Sequence, residues 1–275
     1  MKRLYVFALA VCLSVVAVFA AACNPVTDGI GKDGTVYIGA TSVPHAEILE
    51  FAKEILQQEY NIKIEVKRVD EYALLNPATS AGDTFANYFQ HGIYLDEYNR
   101  SVGESDKLVS ICEVHVEPLG VYKGGKATGE SVDEIFSKEN LVISVTNDRT
   151  NQSRALRLLE QLGIITVVND KETISVDDCD WQGHQYREVS ASLLASSLND
   201  VDIAVIPGNY ALLAGLKEAL ATEDAEVTRK YANVVAVRAE NADSDIAHAI
   251  AEVLKSEKVA QFIEDTYGDA VQFVD

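Results

Sequence analysis

The sequence predicts an α/β fold, and three observations carry that prediction. Residues 35–40, 44–59 and 62–66 read as strand, helix and strand at the length of one βαβ unit. The alternation returns further along, with strands at 141–145, 203–206 and 234–237 and helices at 154–162, 211–220 and 246–266. A chain of 275 residues with 48% hydrophobic composition has enough apolar material for one large domain or two of ordinary size.

The first 22 residues stand apart from the fold. Lys2 and Arg3 precede an apolar run, and Phe19-Ala20-Ala21-Ala22 leads directly into Cys23. A basic start, an apolar middle and small residues at a cleavage site describe a secretory signal. The cysteine adds a lipoprotein address: Cys23 would take a diacylglyceryl group and palmitate-type acyl chains and would begin the mature chain. An uncleaved transmembrane anchor is the competing reading, because the apolar run is near the length that spans a bilayer. The expected location is extracytoplasmic, on the bacterial cell membrane, held there by the lipid.

Residues 23–33 read as a flexible tether rich in glycine and polar residues. They overlap a Gly29-x-Gly31-x-x-Gly34 pattern that would suit a dinucleotide, but no strand precedes it and no helix follows. In the strand 35–40, Val36 and Ile38 alternate with Tyr37; in the helix 44–59, Ile48, Leu49, Ala52, Ile55 and Leu56 recur at helical spacing. Pro44 suits a first helical turn, where a missing N–H costs nothing. Ile62-Lys63-Ile64-Glu65-Val66 alternates as a strand, and the implied sheets are largely parallel. A change of composition at Val121-Tyr122-Lys123-Gly124-Gly125-Lys126 suggests a crossover between two lobes.

The net charge of −20 opposes nucleic-acid binding, which needs concentrated lysine and arginine. Removing the signal would take away two cationic residues and no acid. Of the four cysteines, only Cys112 and Cys179 would remain in the body, and they are read as two separate thiols. No Gly-x-Ser-x-Gly turn, His-Glu-x-x-His helix or Gly-x-x-x-x-Gly-Lys-Ser/Thr loop occurs. Cys179 and His184 lack the companions a zinc site needs. No metal, cofactor or catalytic residue is therefore expected.

Three segments look like a recognition site. Asn87-Tyr88-Phe89-Gln90-His91-Gly92-Ile93-Tyr94-Leu95 crowds aromatic rings and a histidine together, as a ligand wall or a core patch would. Ser144 to Arg154 runs from a strand through a polar loop into a helix, whose start would favour an anion; Arg154, read as lying in the first turn, could grip a carboxylate or pair with a neighbouring acid on the surface. Ile206-Pro207-Gly208-Asn209 ends a buried strand, where open α/β sheets bind ligands.

Five segments together carry a family resemblance: Pro44-His45-Ala46-Glu47-Ile48-Leu49; Tyr88-Phe89-Gln90-His91 with Tyr94-Leu95; Val114-His115-Val116-Glu117-Pro118-Leu119-Gly120; Asn147-Asp148-Arg149-Thr150-Asn151 with Arg154-Ala155-Leu156-Arg157-Leu158-Leu159; and Gly208-Asn209-Tyr210-Ala211. In order and spacing the chain resembles the NlpA-type methionine-binding lipoproteins, the substrate-capturing subunits of bacterial methionine ABC importers.

The resemblance implies a two-lobed, periplasmic-binding-protein-like fold with a ligand cleft between lobes. Lobe 1 would comprise residues 34–117 plus 234–275, and lobe 2 residues 118–233. It further implies that Arg154 holds the ligand carboxylate and that Asn209 and Asn233 bind the amino or carboxylate groups. Tyr72, Phe89, His91 and Tyr94 would enclose the thioether, with Asn151 lining the same cleft. The implied ligand is L-methionine and the implied partners are an ABC permease and its ATPase subunit. A methionine-containing dipeptide, D-methionine or another apolar amino acid remain as ligands. An extracytoplasmic hydrolase and a surface adhesin or sensor remain as functions of another class.

Overall fold

The computed structural model describes residues 28–275. Cys23 and the signal lie outside the described residues, as does the first part of the expected tether. Residues 28–33 belong to the folded body instead: the Gly29 N–H donates to the Gly82 carbonyl at 2.7 Å, Ile30 bridges Val36, and the Asp28 carboxylate meets Arg238 and Asn241. Gly29 has φ +69°, and a Cβ there would stand 1.8 Å from the Phe85 nitrogen, so only glycine lets this segment lie so close.

In chain order the first sheet takes β1 (Val36–Ala40), α1 (Glu47–Tyr60), β2 (Ile64–Arg68), α2 (Tyr72–Ser80), β3 (Ala86–His91), α3 (Gly92–Ser101) and β4 (Leu108–Val116). The second takes β5 (Gly120–Lys123), β6 (Val142–Thr146), α4 (Arg149–Gln161), a two-stranded excursion of β7 (Thr166–Val167) and β8 (Cys179–Asp180), then β9 (Gln185–Val189), β10 (Ile203–Ile206), α5 (Gly208–Leu213) and β11 (Ala221–Thr222). The chain then returns to the first sheet with β12 (Asn233–Arg238), α6 (Asp245–Leu254), α7 (Glu257–Tyr267) and β13 (Gln272–Phe273).

The strand orders are β13-β4-β12-β3-β1-β2 and β11-β5-β10-β6-β9. This is the expected two-lobed α/β architecture, but the sheets are mixed. β12 runs antiparallel to both β3 and β4, and β5 antiparallel to β10, because each enters its sheet from a crossover at one edge of the cleft. The first crossover is Glu117-Pro118-Leu119, while Val121 to Lys123, expected to be the crossover, is part of strand β5.

Each lobe has its own core. Ile38, Leu49, Tyr88, Val235 and Ile250 pack in the first; Ile143, Leu156, Trp181 and Val205 in the second. A third cluster crosses between them, with Tyr72, Leu75 and Phe89 against Ala204, Ile206 and Tyr210. Lobe-to-lobe contact therefore includes dry apolar packing as well as polar bonds.

Several helix limits differ from the periodicity. α1 begins at Glu47, after a separate turn Ser42–Ala46 that holds Pro44. α4 begins five residues before Arg154, because Asp148 caps it by accepting the Asn151 N–H at 3.0 Å. α5 ends at Leu213, where Gly215 adopts φ +69° and the Leu216 N–H turns back to the Ala211 carbonyl. The expected single helix 246–266 is two, since Ser256 caps a new helix by accepting the Val259 N–H.

Candidate functional site

Strand ends build one cleft between the lobes. β3, β4, β6 and β10 all deliver their carboxyl ends there, and β12 its amino end, with Asn233 paired to His91 on one side and to His115 on the other. Backbone freed from a sheet at such an edge is where α/β proteins place ligand groups. The cleft encloses about 360 Å³, counted with the part open to solvent.

All eight residues singled out from the sequence line this cleft. Tyr72, Phe89, His91, Tyr94 and Asn233 come from the first sheet and its helices, and Asn151, Arg154 and Asn209 from the second. The rings form a continuous wall: Tyr72 lies 5.5 Å from Phe89 and 6.0 Å from Tyr94, and Phe89 lies 5.6 Å from Tyr94, in tilted or edge-on contacts. Such a wall suits an apolar or thioether side chain.

Arg154 sits deeper than expected. It is buried in the second turn of α4, its Nε donating to Glu223 Oε1 at 2.8 Å and its Nη2 to Glu223 Oε2 and to the Glu117 carbonyl. The Tyr231 ring lies 4.1 Å from its guanidinium carbon. It is thus not a surface arginine, and its acid partner is internal. Among the described residues no group of the chain takes the remaining nitrogen, Nη1, so two donors are left for an anion. At the start of α4, expected to favour an anion, the Asp148 carboxylate accepts the Asn151 N–H.

Polar bonds between the lobes fix donor and acceptor roles in and beside the cleft. The Tyr72 hydroxyl donates to Asn209 Oδ1 at 2.7 Å, and the Tyr210 hydroxyl to the Asp70 carbonyl. His91 Nε2 faces Asn151 Oδ1 at 3.1 Å while His91 Nδ1 accepts the Tyr94 N–H, which assigns the proton to Nε2. Burial, with Arg154 adding to it, lowers the His91 pKa to about 3, so the ring is neutral at pH 7. Outside the cleft, Glu71 accepts from Ser190 and Ser192, and Arg149 meets Glu97 at 3.1 Å.

Glu117, Gln90, Pro207 and Gly208 also line the cleft; the last three lie in segments read from the sequence as a recognition site and Glu117 in one that carries the family resemblance, but the sequence alone assigns none of them a role of its own. Glu117 lies in the first crossover and is buried. A Cβ on Gly208 would come within 3.0 Å of Glu117 Oε2, which is a packing reason for glycine there. Behind it, His115 Nε2 donates to Glu117 Oε1 at 2.7 Å while its Nδ1 meets the Tyr88 hydroxyl. His45 Nδ1 lies 2.7 Å from the Thr41 hydroxyl and its Nε2 3.0 Å from Asn233 Oδ1. His45, His115 and Glu117 are close enough to suggest a metal centre, with ligating atoms within 4.8 Å of one another. Every imidazole nitrogen in the group is instead engaged in a hydrogen bond. Burial lowers the His45 pKa to about 4 and the His115 pKa to about 3.

The description NlpA lipoprotein belongs to the family model that matches residues 36–274. Among curated relatives, the methionine-binding lipoprotein MetQ of Bacillus subtilis (strain 168) is 33% identical over 281 residues, covering 98% of each chain. A solved nutrient binding protein from Burkholderia cenocepacia, bound to methionine, matches with a TM-score of 0.80 at 29% identity, over 87% of this chain and 100% of that one. A periplasmic substrate-binding protein of an ABC transporter from Coxiella burnetii matches with a TM-score of 0.78 at 30% identity, over 87% and 100%. Among the described residues no helix is long and apolar enough to cross a membrane.

Proposed function

The chain belongs to the NlpA lipoprotein family, and on that premise we propose that it is the lipid-anchored substrate-binding subunit of an ABC importer, capturing L-methionine and passing it to a permease with its ATPase. Anchoring through Cys23 would keep the body at the outer face of the membrane. The observation that carries this reading is the mixed lining of the cleft: Arg154, whose Nη1 has no partner among the described residues, lines the same cavity as the rings of Tyr72, Phe89 and Tyr94. The guanidinium fits an α-carboxylate and the rings a methylsulfanyl side chain.

Magnitudes divide the labour. Burying a methionine-sized side chain contributes about 1.5–3 kcal/mol, and sulfur beside aromatic rings adds roughly 0.3–1.5 kcal/mol. A buried charge left without its partner costs about 3–5 kcal/mol. The main-chain groups of the ligand therefore dominate affinity, and the aromatic wall sets side-chain preference. Among the described residues no serine, threonine or cysteine lines the cleft, which favours binding without turnover over a hydrolase.

The testing experiment is calorimetric. The lipid-free protein from residue 24 is unfolded, washed free of carried ligand, refolded and titrated with L-methionine, D-methionine, leucine and glycyl-methionine. Tight one-to-one binding led by L-methionine is expected. Preference for the dipeptide would keep the fold and move the substrate, and no binding by folded protein would overturn the reading.

A further inference from the structure

We propose that Glu117 is the counter-ion of the ligand's α-ammonium group, and hence the residue that restricts this cleft to free α-amino acids. The inference rests on the amino-acid reading above and assigns the half of the zwitterion that Arg154 does not hold.

It follows from an inventory of acceptors. An ammonium group needs oxygen or nitrogen lone pairs, and each side-chain amide oxygen in the cleft already accepts one bond from within the protein, whereas a carboxylate has more lone pairs to give. Asn209 Oδ1 accepts the Tyr72 hydroxyl. Asn233 Oδ1 is held by His45 Nε2 at 3.0 Å. The Gln90 amide is bound at both ends, its Oε1 by Asn76 and its Nε2 to Asn76 and Asn87. His91 spends its lone pair on the Tyr94 N–H. Among the described residues no bond occupies the Nδ2 of Asn209 or of Asn233, and these donors suit a carboxylate beside Arg154 better than an ammonium. Among the described residues Glu117 is the one acid that lines the cleft.

Glu117 is also built to hold its position. His115 Nε2–H donates to Oε1 at 2.7 Å, and the Tyr88 hydroxyl meets the other side of that ring. Neutral His115 is a donor without competing positive charge, so the carboxylate keeps its own charge for the ligand. Burial raises the Glu117 carboxyl, with His45, Arg154 and the Asn209 N–H opposing. An arriving ammonium adds to that opposition and favours the anion. The Glu117 carbonyl accepts Arg154 Nη2 at 2.8 Å, which ties the two anchors into one unit. Carboxylate and ammonium on a single carbon match two anchors so joined. An amide-linked methionine, as in glycyl-methionine or an N-acyl derivative, would present a neutral N–H where Glu117 needs a cation.

The test pairs one side chain with one ligand group. Wild type and Glu117→Gln are titrated with L-methionine and with 4-(methylsulfanyl)butanoic acid, the same molecule with hydrogen in place of the amine. Expected is a loss of about 100-fold for L-methionine in Glu117→Gln and less than about threefold for the deaminated acid. Wild type itself should prefer L-methionine by a similar factor and reject N-acetyl-L-methionine. Equal losses for both ligands would mean a structural role and overturn the inference, as would a wild type that binds the two acids alike. Should Glu117→Gln not fold, Glu117→Asp keeps the charge but withdraws it by one CH2, and the same selective loss, at least about tenfold, is expected. A wild type that binds no L-methionine would remove the amino-acid reading and this inference together; binding without selective loss removes only this inference.

Discussion

Arg154 and Glu223 form a buried two-pronged ion pair, Nε to Oε1 at 2.8 Å and Nη2 to Oε2 at 2.5 Å, that joins α4 to the segment leading back toward the first lobe. The pair fixes the guanidinium of a residue that lines the cleft and does not use Nη1. A fork fixed on one side binds a carboxylate on the other without further ordering.

Replacement of Arg154 by alanine should abolish capture of every amino acid and also strand the buried Glu223 carboxylate. The stability loss expected is about 3–5 kcal/mol. Arg154→Lys keeps a charge near Glu223 but loses the fork, so it should fold better than the alanine variant and still bind at least about tenfold more weakly than wild type. Denaturant melts with parallel calorimetry separate the two effects; undiminished binding in Arg154→Ala would refute the assignment.

His91→Ala should mainly relax side-chain choice. The change removes the ring beside Tyr94 and Tyr231 and the bond to Asn151, but leaves Arg154 untouched. The ratio of methionine to leucine affinity should fall by about tenfold, equivalent to about 1.4 kcal/mol. A uniform loss across ligands would place His91 in carboxylate or amine binding instead.

Tyr72→Phe deletes the lobe-to-lobe bond to Asn209 and keeps the ring. A net loss of about 1 kcal/mol is expected, or roughly fivefold in affinity. Closure requires that the ligand favour the closed state through contacts from both lobes, so X-ray scattering should show a smaller ligand-induced compaction in the variant. Unchanged compaction and affinity would mean that this bond does not contribute to closure.

Acid should destabilise the protein through its buried histidines. In the unfolded chain these rings bind protons near pH 6.5, whereas folded His45 waits until about 4 and His91 and His115 until about 3. The unfolded state therefore holds more protons below pH 6.5, and stability falls as pH drops toward 4. Each histidine contributes a loss of about 2 kcal/mol between pH 7 and pH 5. Glu117 and Asp148, whose carboxyls burial raises, act in the opposite direction. His91→Gln should flatten the stability difference between pH 7 and pH 5 by about the share of one histidine, as read from urea melts; an unaltered difference would contradict the neutral His91.

Local patterns revealed the βαβ units but not the sheets that hold them. Val234 to Val237 reads as a strand in isolation, yet its place between β3 and β4 depends on a crossover nearly the whole chain away from β1. α2 and α3 escaped notice because Pro77 interrupts the first and the second is mostly polar outside Leu95. Aromatic crowding made the Phe89 to Tyr94 wall visible, a polar loop entering a helix and the end of a buried strand brought Arg154 and Asn209 into view, and family spacing added Asn233. Glu117 and Glu223 stayed hidden for a plain reason: in a chain with 43 acidic residues, a single buried acid carries no local signal.

The most direct test of the central claim is a crystal structure of the refolded protein grown with L-methionine. The account predicts one molecule in the cleft, its carboxylate on Arg154 Nη1 and its sulfur among Tyr72, Phe89 and Tyr94. Ligand density elsewhere, or a cleft without L-methionine at saturating concentration, would contradict it.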